Sequence, residues 1–327
     1  MLQATDYLKT PVMMDQDSVT TALSQTHAKA AQGTCVDHEI LKEAGRVSRY
    51  RQYRVYLPAG YDESKQYPLI MVLHGCRQDH LAIQSITGFD AIADRVGAIV
   101  VYPFVTTYAG LRTQNCWGWW LVRQRQRGRG EVSDLRRIAQ DVSDTYSVDI
   151  KRRHICGLSS GGAMSVACMA TYADFWTSGA SVAGVPYGES INAVKANAHT
   201  VVRRKTLNNL LRLLRRVLVA DAPSLLVVQS TGDSMVGPKL GANLRDSWAQ
   251  ASGCGVNASA VFSDSTRDVS WELEQYNDGD KLRVAHLLME DLEHGWPGGL
   301  QGRFSHPEGP NISELIWRFF ASGLPER

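Results

Sequence analysis

Residues 153–164 read Arg153-His154-Ile155-Cys156-Gly157-Leu158-Ser159-Ser160-Gly161-Gly162-Ala163-Met164, a short apolar run that enters Gly-x-Ser-x-Gly with Gly157, Ser159 and Gly161 at the fixed places. Small, helix-compatible residues follow. The order predicts a strand, a sharp turn and a helix, with Ser159 at the turn. A serine at such a tip has neighbours within contact distance, so the flanking positions must be small, and glycine supplies that room. The helix after Ser159 points its free N–H groups at the oxygen that becomes negative when a serine attacks an acyl carbon. Ser159 is therefore the candidate nucleophile, and the amide of Ser160 a candidate oxyanion donor. Ordinary Gly/Ser turns also carry this pattern, so its companions in the chain decide the reading.

Upstream, Tyr67-Pro68-Leu69-Ile70-Met71-Val72-Leu73 is a continuous apolar run, as expected of a strand buried on both faces of a parallel sheet. It ends in His74-Gly75-Cys76. Ligands gather at the carboxyl ends of parallel strands, so this loop is placed to face the nucleophile, and the Cys76 N–H is the second candidate oxyanion donor. Downstream, the strand 223–230 leads into Thr231-Gly232-Asp233, and a last strand at 282–289 leads into Glu290-Asp291-Leu292-Glu293-His294-Gly295-Trp296-Pro297-Gly298-Gly299. Asp233 reads as the acid that orients a histidine, or as an ordinary turn aspartate. His294 is the candidate general base, with His306 as runner-up. Ser159, Asp233 and His294 stand in the order nucleophile, acid, histidine, each after a predicted strand.

The other elements fit one alternating α/β domain. Opening strands are expected near 36–41 and 50–57, a helix at 81–96, a strand at 98–102, a helix at 133–146 capped by Ser133, a strand at 178–183, and helices at 240–251 and 312–321, with a further strand at 270–275. This alternation argues for a mostly parallel central sheet flanked by helices. Residues 1–33 read as an irregular or partly helical lead-in. The segment 190–220 interrupts the alternation, and its Leu207, Leu210, Leu211, Leu214, Val217 and Leu218 share one helical stripe opposite Arg212 and Arg216. It is expected to be a helical cap over the site, with binding to a membrane or polymer-granule surface as the other reading.

Between 108 and 131 regularity lapses into a long loop with Cys116-Trp117-Gly118-Trp119-Trp120. Tryptophans in such a loop either fill core or line a pocket for an apolar acyl group. The substrate side of the site is expected to draw on His74, Trp117, Trp119, Trp120, Tyr187 and Trp296. Two readings stand for Cys76 and Cys116: a disulfide clamping the aromatic loop to the oxyanion loop, or two buried thiols in a reducing compartment.

The 327 residues are 44% hydrophobic and 21% charged with a net charge of +2, a globular balance that gives no global field for nucleic acid. No apolar run approaches the roughly 20 residues of a membrane-spanning helix. The six cysteines form no Cys-x-x-Cys or zinc-ligand pattern. No basic and then apolar leader opens the sequence, which reads as cytoplasmic, or as secreted if a leader precedes it.

With these residues in view, the sequence resembles the polyhydroxybutyrate depolymerase family of esterases, which includes feruloyl and acetylxylan esterase relatives. The resemblance runs from about Tyr50 to Phe320. It rests on Leu73-His74-Gly75-Cys76, Cys116-Trp117, Arg127-Gly128-Arg129-Gly130-Glu131, the 157–164 motif, Pro186-Tyr187-Gly188, Gly232-Asp233 with Val236 and Pro238, and His294 with Trp296 and Gly298-Gly299. It implies an α/β-hydrolase with Ser159, Asp233 and His294 as triad, acting on carboxylic esters without metal or organic cofactor. The chain has Gly295 where the family often has alanine and Pro297 where serine is common. The expected substrates are short polyhydroxyalkanoate (3-hydroxybutyrate) oligomers or related esters, with feruloyl or acetylxylan-type esters as the alternative. A binding protein of the granule surface, without turnover, is the reading from another class.

Overall fold

The structure is a computed structural model that describes residues 14–25, 32–43, 47–105, 114–190, 205–218 and 220–322. Ten strands form one sheet: β1 (Thr34–Ile40), β2 (Arg51–Leu57), β3 (Tyr67–Leu73), β4 (Ile99–Pro103), β5 (Val148–Leu158), β6 (Ser178–Val182), β7 (Ser224–Ser230), β8 (Ala260–Thr266), β9 (Val269–Asp278) and β10 (Lys281–Met289). Their spatial order is β1-β2-β4-β3-β5-β6-β7-β10-β9-β8. The six central strands, from β4 to β10, are parallel, and an antiparallel pair closes each side.

The centre of the sheet explains the apolar runs. Every residue of β3 and of β7 is buried. Alternate β3 side chains enter opposite faces: Leu69, Met71 and Leu73 join one core, Ile70 and Val72 the other. Helices α4 (Gly130–Thr145), α5 (Ser160–Thr171), α6 (Leu207–Arg215) and α7 (Pro238–Ala251) contribute to the first core. Helices α1 (Gln16–Ser24), α2 (His80–Thr87), α3 (Phe89–Val96) and α8 (Ile312–Ser322) contribute to the second. This is the three-layer α/β-hydrolase arrangement.

Several sequence expectations change. The helix expected at 81–96 is two helices, because Gly88 takes φ +69° and turns the chain between them. Helix α4 begins at Gly130 with Arg129 at its cap, so Ser133 lies inside the helix. The lead-in contains α1, capped by Asp15 and packed on α8. Strand β8 was not expected at all. Of the segment 190–220, residues 191–204 and 219 lie outside the described residues, as do 108–113 of the aromatic loop. Helix α6 buries Leu210 and Leu214 and packs on α7. Among the described residues no helix is long and apolar enough to cross a membrane.

Candidate active site

Ser159 sits between the end of β5 and the start of α5 with φ +56° and ψ −115°, a conformation that side chains other than glycine seldom adopt. The turn is fixed from two sides. Its amide donates to the Val182 carbonyl of β6 at 2.8 Å, and its own carbonyl accepts from Ala163 at 2.9 Å. A Cβ on Gly161 would lie 2.3 Å from the Leu73 carbonyl oxygen and 2.6 Å from that of His74, so only glycine lets α5 start this close to β3. Ser159 is half-buried.

Asp233 follows β7 and His294 follows β10, two neighbouring parallel strands. Their loops are joined by hydrogen bonds from Thr231 N to Met289 O (2.9 Å) and from Leu292 N to Ser230 Oγ (2.9 Å). His294 Nδ1 and Asp233 Oδ2 are 2.8 Å apart, and both residues are buried. The other carboxylate oxygen, Oδ1, accepts the amides of Met235 (2.9 Å) and Val236 (2.7 Å). That grip aims Oδ2 at the ring. Gly295 faces His306 closely: a Cβ there would meet Nε2 of His306 at 2.7 Å. His306 instead packs against the loop and sits 3.3 Å from Glu308, while His294 holds the acid.

The loop after β3 lies beside Ser159, since a Cβ on Gly75 would be 3.5 Å from the Ser159 Cβ. Gly75 donates its amide to Gln78 Oε1 at 2.8 Å. Among the described residues the amides of Cys76 and Ser160 have no acceptor. Cys76 is bonded to Cys116 through a disulfide, with the two Cα atoms 4.3 Å apart, which selects the first of the two cysteine readings.

The structure corrects the substrate side. His74 is fully buried: Val105 N donates to its Nε2 (3.2 Å), so Nδ1–H donates to the Gly75 carbonyl (2.8 Å). Burial lowers its pKa to about 4, against the smaller opposing effect of that carbonyl, so the ring is neutral. Trp117 is fully buried, with its indole N–H on the His74 carbonyl (3.0 Å). Trp296 is likewise buried, against Phe89, and donates to Ser313 Oγ at 2.9 Å. These three residues lie inside the core rather than on an exposed surface. Trp119 packs edge-on to Trp120, which is half-exposed, and Tyr187 is buried under the Arg125 guanidinium, 4.9 Å from the ring centre. Sequence reasoning gave no role to Arg51, Asp134 or Glu131. They form a buried ion cluster behind the His74 loop, and their separation in the chain hides it.

The arrangement suits an acyl transfer: a strained serine, an acid-held imidazole and two amides without an acceptor among the described residues, on one edge of the sheet. Among the described residues no cluster of metal-binding side chains occurs. The chain matches the family described as Esterase PHB depolymerase over residues 51–261. It is 30% identical over 132 residues to poly(3-hydroxyalkanoate) depolymerase C of Paucimonas lemoignei, a match covering 40% of this chain and 31% of that protein. Feruloyl esterase B of Neurospora crassa is 26% identical over 272 residues, covering 77% and 87% of the two chains. Thus the chain spans about a third of the depolymerase but most of the feruloyl esterase. Among solved structures, an acetyl xylan esterase from Aspergillus awamori superposes with a TM-score of 0.64 at 14% identity, over 79% of this chain and 94% of that one. A ferulic acid esterase from Anaeromyces mucronatus gives 0.54 at 15% identity, over 92% and 94%. These likenesses show the fold. Matched along residues 51–261 and folded as an α/β-hydrolase, the chain belongs to the esterase PHB depolymerase family, whose members are carboxylic ester hydrolases.

Proposed function

We propose that the protein is a serine esterase that works by two acyl transfers, with Ser159 as nucleophile, His294 as general base and acid, and Asp233 as the group that orients His294. The observation that carries this reading is the 2.8 Å contact between Asp233 Oδ2 and His294 Nδ1, made by loops on the edge of the sheet where Ser159 sits. With Nδ1 engaged, Nε2 is the ring nitrogen that takes the Ser159 proton as Oγ bonds to the ester carbon. The carbonyl oxygen becomes an oxyanion held by the Cys76 and Ser160 amides. Collapse of the adduct breaks the bond to the alcohol oxygen, and His294 gives that oxygen the proton. Water, deprotonated by His294, then attacks the acyl-enzyme and restores Ser159.

The favoured substrates are short 3-hydroxybutyrate oligomers or related polyhydroxyalkanoate esters, a reading supported by the family match and the depolymerase relative. A second reading, a feruloyl or acetylxylan-type ester, is favoured by the match to 87% of a feruloyl esterase. In either case Trp120, the half-exposed member of the aromatic loop, contacts the acyl group, with Trp119 and Tyr187 behind it. The Cys76–Cys116 disulfide supports an oxidising compartment over the cytoplasm. The test is hydrolysis of p-nitrophenyl esters of rising chain length, of 3-hydroxybutyrate dimer and trimer, and of methyl ferulate, by wild type and Ser159→Ala. Turnover by wild type alone supports the reading, and the ranking of the panel selects the substrate. If the folded wild type hydrolyses none and sediments with polymer granules, the protein is a binding protein instead.

A further inference from the structure

Behind the oxyanion loop lies a set of charges with almost no access to water. Arg51, the first residue of β2, is 1% exposed and Glu131 and Asp134, in the first turns of α4, are 0% and 1% exposed. Arg51 donates Nε to Asp134 at 3.0 Å, and its Nη2 lies 3.0 Å from Asp134 and 3.7 Å from Glu131. Both ends of the cluster reach main chain. Glu131 Oε2 accepts the Gly118 amide at 2.6 Å, and Arg51 Nη1 donates to the Val105 carbonyl. Val105 passes the restraint on, because its amide donates to His74 Nε2. Gly118 does the same by another route: the preceding Trp117 donates its indole N–H to the His74 carbonyl, and Cys116, one residue earlier, is covalently joined to Cys76.

The geometry points to Glu131 and Arg51 as positioning residues for the oxyanion hole: through Gly118 and Val105 they fix the His74 peptide and ring from two sides, and so the direction of the Cys76 amide. The inference rests on the reading of Ser159 and Cys76 given above. Buried ion clusters are a weak source of stability relative to apolar packing, but they define geometry when every arm has a partner. Here Asp134 is anchored by Ser48 Oγ and the Arg49 amide, while the arms of Glu131 and Arg51 end on Gly118 and Val105, which lead to the His74 loop. An oxyanion donor acts only in the transition state, so misdirecting it lowers kcat while leaving KM nearly unchanged.

The experiment uses the full-length protein, a p-nitrophenyl ester and phenylboronic acid, which forms a tetrahedral adduct on a reactive serine. Glu131→Gln keeps size and an acceptor but cancels the charge that faces Arg51. Trp117→Phe keeps one aromatic ring and removes the hydrogen bond to His74 together with the volume of the second ring, and it serves if the first variant does not fold. Kinetics are normalised to folded protein by circular dichroism. The expected result is a fall in kcat of about tenfold to a hundredfold, less than or comparable to losing a donor, with KM within about threefold. Boronate affinity falls by a similar factor. Wild-type kcat in both variants with a lowered melting temperature overturns the inference and leaves the cluster structural. A fall in kcat with unchanged boronate affinity overturns it too. A wild type that neither hydrolyses esters nor binds boronate instead overturns the reading of Ser159, and the inference falls with it.

Discussion

Gly161, in the first turn of α5, and Leu73, the last residue of β3, approach so closely that a methyl group on the glycine would lie 2.3 Å from the Leu73 carbonyl oxygen. The obstacle is backbone on both sides, so no side chain can yield. Gly161→Ala is expected to push α5 off β3, costing about 1–3 kcal/mol of stability and misplacing Ser159 and the Ser160 amide. Urea unfolding and ester hydrolysis on the same sample check this. A fully active variant of unchanged stability contradicts the proposed tightness of the turn.

Asp233→Asn separates orientation from charge. The amides of Met235 and Val236 hold Oδ1 of the side chain, so the asparagine oxygen takes that place and its NH2 faces His294 Nδ1. Two donors then oppose each other, and the ring adopts the other tautomer. The expected loss in kcat is about 10⁴, the size seen when a triad aspartate is so replaced, with little change in melting temperature. A loss below about tenfold removes Asp233 from the mechanism.

The disulfide closes a loop with a sequence separation of 40 residues, for which chain-entropy arguments give about 3–4 kcal/mol. Reduction, or Cys116→Ala, is expected to lower the melting temperature and to lower kcat as well, since the bond tethers the residue whose amide is the proposed oxyanion donor. Thermal scans and rates with and without reductant measure the two effects separately. Unchanged kcat after verified reduction assigns the bond to stability alone.

Two buried histidines contribute to the loss of stability in acid. Burial lowers His74 to about 4 and His154, stacked on Phe320, to about 3. Unfolded histidines take up a proton near 6.5, so below that pH the unfolded chain binds more protons than the folded one. Stability is therefore full above about 6.5 and is lost as the pH falls towards 4 and 3, at up to about 1.4 kcal/mol per pH unit per histidine. His154→Gln is expected to flatten the slope of unfolding free energy between pH 6.5 and 4. Urea titrations at several pH values read it, and an unchanged slope refutes the assignment for that residue.

Much of this was legible in the chain. The runs at 67–73 and 223–230 announced strands buried on both faces, and the positions of Asp233 and His294 after their strands marked two loops that touch. Other features were hidden for identifiable reasons. Strand β8 carries Ser263, Asp264 and Ser265 on an exposed edge, so its alternation dissolves into polar residues. Trp117 and Trp296 read as pocket lining because the acceptors for their indoles, His74 O and Ser313 Oγ, belong to distant segments. The partnership of Arg51 with Asp134 spans 83 residues and follows no period. Local pattern encodes elements and loop order; it does not encode which polar side chains share a buried space.

The ring of His306 occupies the volume that a side chain at 295 would need, with Nε2 only 2.7 Å from where its first carbon would stand. Position 295 is thus constrained both by the His306 ring and by the Phe304 backbone. Alanine at 295 meets the Phe304 carbonyl oxygen at 2.9 Å as well as the His306 ring, so a smaller residue at 306 relieves only part of the clash beside His294. Room for a side chain next to His294 therefore requires the 304–306 backbone to move, and no exchange at 306 alone supplies it.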